Sequence, residues 1–150
     1  SKFPRVYAEC IIARMNKKLA LRQETMSLLY DYFEAFANLY QLLPLKDACK
    51  IISKQNKGLI TLEEFIAFSE ISRHEDHFLY ILAKDELYLD APKEKPIDRK
   101  IVHSSLVDVD YEYYYNMVKH QAGKTLKILP KQELLKYKDD ILLTHHMLEQ

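Results

Sequence analysis

Glycine is almost missing from this chain, with Gly58 and Gly123 the only two among 150 residues. Phosphate-cradling loops of the GxGxxG or GxxxxGK type need several glycines within a few positions, so both are excluded by count. Tryptophan is absent, and cysteine appears only as Cys10 and Cys49. Two thiols in apolar, helix-patterned surroundings are expected to be buried and unpaired, which fits a reducing compartment and argues against a disulfide-stapled secreted domain. No apolar run approaches the ~20 residues that cross a bilayer, and no signal-peptide core opens the chain. Net charge is missing too, since 22 basic side chains balance 22 acidic ones. No global field therefore draws the chain to nucleic acid or to an acidic membrane. The expectation is a cytoplasmic globular protein. It starts at Ser1 and stops at "HHMLEQ" inside a helical pattern, as a piece of a longer protein would.

What is present points to an α+β, mostly helical fold. With 48% hydrophobic residues the chain can bury its own core. "AECIIARMNKKLALRQ" has helical spacing at Ile11, Ile12, Met15 and Leu19. "ETMSLLYDYFEAFANLYQLLP" is more apolar, with Leu29, Tyr32, Phe33, Phe36, Leu39 and Tyr40 on one broad face, and predicts a central helix over 24–43. Pro44 starts a second helix (45–54) that turns Leu45, Ala48, Cys49 and Ile52 inward. After Gly58, Thr61 and Glu64 read as a capping box opening a third helix, which buries Leu62, Phe65, Ile66 and Ser69. Phe33, Phe36 and Phe65 are expected to meet in one cluster. "FLYIL" and "ELYLDA" read as a β-hairpin over 78–91. "PKEKP" (92–96) is the expected joint between a 1–91 unit and a small helical region, 92–150, unless the whole is a single domain. In that region "IDRKIVHSSL" reads as helical, Asp110 caps a helix ending before Gly123, "TLKIL" is an edge strand, and Pro130 opens a helix through Leu134, Tyr137, Ile141 and Leu148.

The stretch "SKQNKGLITLEEF" resembles an EF-hand loop, with Gly58, Ile60 and Glu64 at the turn glycine, core aliphatic and bidentate carboxylate positions. The remaining ligand positions hold Ser53, Gln55 and Lys57 in place of carboxylates. A hard dication needs six to eight oxygens, so the expectation is no calcium. Across 24–91, the succession of three helices and a hairpin resembles a winged-helix domain. In that family the third helix usually enters the DNA major groove. Here the helix, read as 61–72, offers Glu63, Glu64 and Glu70 and no Lys or Arg, which reverses the electrostatics of phosphate binding. Asp85, Glu86 and Asp90 against Lys84 make the hairpin an equally poor wing. Phrases such as "DELYLD" and "LPKQELLKY" are similar to uncharacterised proteins of Gram-positive bacteria, a likeness that implies a cytoplasmic address and no activity.

Cations gather in two places. Lys46, Lys50, Lys54 and Lys57 recur along one face of the second helix. Lys119, Lys124, Lys127 and Lys131 occupy the acid-free run "KHQAGKTLKILPK". Each alone reads as a solvated surface; together they could make a basic binding face. "HEDH" (74–77) lacks the HExxH spacing and a third ligand, and so reads as a polar helix end. "YEYYY" (111–115) invites base stacking, but Tyr111, Tyr114, Tyr115 and Val118 make a helical core stripe flanked by Asp108, Asp110 and Glu112. Ser104 and Ser105 beside His103 have no nucleophile elbow. No catalytic residue, metal ligand or cofactor motif is identified. The reading is a non-catalytic interaction or assembly module with a protein partner. The alternative is a nucleic-acid-binding regulator using the basic faces at 46–57 and 119–131.

Overall fold

In a computed structural model, residues 21–74, 79–88, 90–139 and 148–149 are described; the expected first helix and Cys10 lie outside them. Helix α1 (Gln23–Tyr40) is the centre of the core, and every residue from Ala35 to Tyr40 is buried. It ends where Gln41 takes a left-handed φ of 64° while its N–H bonds the Ala37 carbonyl. That turn starts strand β1 (Leu42–Pro44), so the expected helix stops before "LLP". Helices α2 (Leu45–Gln55) and α3 (Leu62–Arg73) follow, with Gly58 between them at φ 75°. The capping box at the start of α3 is present: Glu64 N–H donates to Thr61 Oγ1 (3.1 Å) and Thr61 N–H to Glu64 Oε1 (2.8 Å).

Strand β2 (Leu79–Leu82) does not fold back on "ELYLDA". Lys84–Leu87 forms a one-turn helix, α4, whose Glu86 accepts the Ala83 N–H at 2.9 Å. The partner of β2 is β3 (Lys100–His103), inside the segment expected to be helical. Strand order is β1–β3–β2, all antiparallel. The central strand explains its own misreading. Ile101 faces the helices and Val102 the opposite side, and both are fully buried, so β3 shows no polar alternation. The sheet also joins chain from both sides of "PKEKP", which lies within the connection from β2 to β3.

The register sets two faces. Leu43, Ile101 and Ile81 align and pack with α1, α2 and α3 in the main cluster. Leu42 and Val102 align on the other face beneath Leu87, Leu106 and Tyr114. Tyr114 belongs to helix α5 (Glu112–Gln121), whose Glu112 N–H donates to Asp110 at 2.8 Å. Of the expected tyrosine stripe, Tyr114 is buried and Tyr115 half-buried, whereas Tyr111 is 45% exposed. Strand β4 (Thr125–Leu126) pairs with β5 (Leu148–Glu149). Leu148 is therefore in a strand, while Pro130 opens only the short helix α6 (Lys131–Leu134), continued as a 3-10 turn through Asp139. The fold is α+β, with a helical core against a small antiparallel sheet. Among the described residues, no helix is long and apolar enough to cross a membrane.

Candidate functional site

The side of α2 turned toward residues 124–130 carries Asp47, Lys50 and Lys54 with the buried Ile51, at i, i+3, i+7 and i+4, the spacing that stacks side chains along one side of a helix. Opposite it runs the extended segment 124–130, held there by a set of polar bonds. Gln55 Nε2 donates to the Leu129 carbonyl at 2.9 Å, and its Oε1 accepts from Tyr32 Oη at 2.8 Å. Asn56 Nδ2 donates to the same tyrosine oxygen (2.9 Å), and Lys131 Nζ donates to Asn56 Oδ1. Tyr40 Oη donates to the Lys127 carbonyl at 2.6 Å. Burial holds the hydroxyls of Tyr32 and Tyr40 above the usual phenol range, so both remain donors. Gln121 Nε2 completes the set by bonding the Leu42 carbonyl at 3.0 Å.

Between helix and segment lies a cleft of about 810 Å³. Its apolar surface comes from Ile51 on the helix and from Leu126, Ile128, Leu129 and Pro130 opposite. Lys50 and Lys54 stand on one side and Lys124 on the other, with Asp47 the only acid among the lining residues. Ile128 is 49% exposed, so aliphatic surface stays open to solvent beside the ammonium groups. No aromatic ring lines the cleft among the described residues.

The two lysine runs thus meet, but only in part. Lys50, Lys54 and Lys124 share the cleft; the other five do not line it. Lys46 pairs with Asp98 at 2.8 Å, and that carboxylate raises its pKa. Lys131 is bonded to Asn56, as above. Lys57, Lys119 and Lys127 are exposed outside the cleft. Sequence reasoning missed Ile128 and Leu129, whose apolar character looked like an edge strand rather than the wall of a site.

Elsewhere the expected constellations have structural roles. In the EF-hand-like stretch, Ser53 and Gln55 lie on α2 itself, Gln55 is engaged with Tyr32 and Leu129, and Glu64 holds the capping box. Among the described residues no group of three or more His, Cys, Asp or Glu side chains could hold a metal. His74 is half-buried at the end of α3, and the rest of "HEDH" lies outside the described residues. Glu70 is not offered to solvent as expected: it binds Arg99 and also faces Arg73, the cation that closes α3. Leu62 is 55% exposed rather than inward. His103 Nδ1 accepts the Ser105 N–H at 3.1 Å with Ser105 Oγ at 2.9 Å, the geometry of a cap on the turn 104–106. Away from the cleft, Tyr80, Val109 and Tyr113 are exposed, and Tyr80 Oη donates to Asp108 at 3.0 Å.

Comparison with known proteins finds no matching family model, no matching curated protein and no matching solved structure.

Proposed function

We propose that this chain is a non-catalytic interaction module whose binding site is the cleft between α2 and residues 124–130. The observation that carries this reading is the convergence of Lys50, Lys54 and Lys124 around an open aliphatic surface. A concave, largely apolar lining with a few convergent charged groups is the default form of a binding site. The succession α1–β1–α2–α3–β2–β3 supports a winged-helix-like frame for it. On that frame the third helix begins with Glu63 and Glu64, which disfavours base reading there.

Calorimetric titration of the chain with an acidic peptide, a basic peptide, single-stranded RNA and duplex DNA tests the reading. Binding to at least one polyanion, abolished in Lys50→Glu/Lys54→Glu/Lys124→Glu, is the expected result. If none binds, or if binding is indifferent to the triple reversal, the cleft is not the site.

A nucleic-acid-binding regulator is the second reading. It is favoured by the exposed Lys57, Lys119 and Lys127 outside the cleft, which could extend a basic track. Counterion release then demands RNA or DNA affinity that falls steeply from low to moderate salt. No retention of either nucleic acid at low salt eliminates this alternative.

A further inference from the structure

The chemistry of the cleft is more specific than a positive patch. Single-stranded nucleic acid is gripped by aromatic platforms on which bases stack, with cations following the backbone. The described lining of this cleft has cations and no ring. Its remaining surface is aliphatic: Ile51, Leu126, Ile128 and Leu129, with Pro130 beside them. Such surface gains by burying aliphatic or aromatic protein side chains, whereas nucleobases are held best by the flat ring faces it lacks. Asp47 at one end of the same face would also repel a continuous polyanion while leaving room for a ligand whose negative charge is localised.

We propose that the occupant is an acidic amphipathic segment of a protein partner. Two or three of its aliphatic or aromatic side chains enter between α2 and residues 126–130, and its Asp or Glu residues reach Lys50, Lys54 and Lys124. The inference rests on the cleft being the binding site and adds the partner's chemistry. Charge complementarity at the rim sets orientation and association rate, and the apolar anchors supply most of the affinity. The wall at 126–130 is fixed by bonds independent of any ligand, chiefly Gln55 to Leu129 and Tyr40 to Lys127. The receptor is therefore largely formed in advance.

Fluorescence anisotropy with four labelled probes tests the inference on the full chain. These are a 16-residue peptide with Leu and Phe on one helical face and Asp and Glu on the other, the same composition scrambled, a glutamate homopolymer of equal length, and single-stranded RNA. The amphipathic probe should bind at least tenfold more tightly than the other three. Lys50→Glu/Lys54→Glu and, separately, Ile128→Ser should each weaken it about tenfold or more without lowering the melting temperature. A matched reversal at the exposed Lys93 and Lys95, outside the cleft, should leave affinity within twofold. Equal binding of the homopolymer or the scrambled peptide would show that charge alone acts, and would overturn the inference. Tighter RNA binding that still needs Lys50 and Lys54 would overturn it while leaving the cleft as the site. Failure of all four probes to depend on those lysines would remove both.

Discussion

Phe33 is the ring on which two helices meet. It makes edge contacts with Phe65 at 5.8 Å and with Phe68 at 5.1 Å between centroids, while Phe36 stacks obliquely with Tyr32 and Tyr40 in the same cluster. Removing a fully buried ring costs about 3–5 kcal/mol, because the cavity does not close completely. Phe65→Ala should lose that much in chemical denaturation, whereas Lys50→Ala, on an exposed position, should change stability by less than about 0.5 kcal/mol. The cluster of Phe33, Phe36 and Phe65 was legible from helical spacing. Phe68 was not, because in "LEEFIAFSEIS" the stripe Leu62, Phe65, Ile66 and Ser69 is the more apolar, whereas Phe65, Phe68, Ser69 and Ser72 includes two serines, and only packing against α1 and the sheet selects the second. His103 supplies a pH test. Burial holds its imidazole below the ordinary value of 6.5, with Asp108 opposing more weakly. The native state then takes up this proton at lower pH than the unfolded chain, so its contribution is present above about 6.5 and is lost as pH falls. Stability should drop as pH falls below about 6.5, and drop less in His103→Asn, which keeps an acceptor for the Ser105 N–H. His74, shifted in the same direction, leaves a residual slope. An identical slope in wild type and variant would contradict the assignment.

At the scale of elements, local chemistry was readable where it is self-contained. The Thr61–Glu64 box involves four neighbouring residues, and α3 begins where they require it. Thr61→Ala should cost about 0.5–2 kcal/mol in denaturant melts; no loss would mean that tertiary packing alone fixes that helix start. Pairing was not readable in the same way. "RKIVHS" is the least apolar of "FLYIL", "ELYLDA" and "RKIVHS", yet it supplies the central strand while "ELYLDA" does not pair, so which of them become strands depends on contacts distant in sequence. Leu87 turns into the cluster under Val102 and so makes its segment helical, while both faces of β3 are covered. The EF-hand-like cadence at 53–64 is likewise local, and helix α2 extends through its first ligand positions. Millimolar calcium should leave the melting temperature unchanged, since only a ligand that binds the native state stabilises it. A rise reversed by chelator would show that these residues rearrange into a cage.

At the scale of the molecule, one sheet has helices on its first face and Tyr114 with its neighbours on the second, and the C-terminal part is fastened to α1 by buried polar groups. Asn38, 5% exposed, donates to the carbonyls of Tyr137 and Lys138 at 2.7 and 3.0 Å. Satisfying a buried amide in this way fixes the approach of residues 124–138, and with it the far wall of the cleft. Both lysine runs were visible in the sequence; their meeting was not, because it depends on bonds between residues more than seventy positions apart, such as Gln55 to Leu129. The account stands or falls on whether that meeting place receives a partner. The most direct measurement is backbone amide shift mapping on the isotope-labelled chain during titration with the acidic amphipathic peptide. Shifts concentrated at Lys50, Lys54, Leu126 and Ile128, and reduced by added salt, are the predicted result. Shifts centred on Tyr80 and Tyr113, or none at saturating peptide, would contradict it.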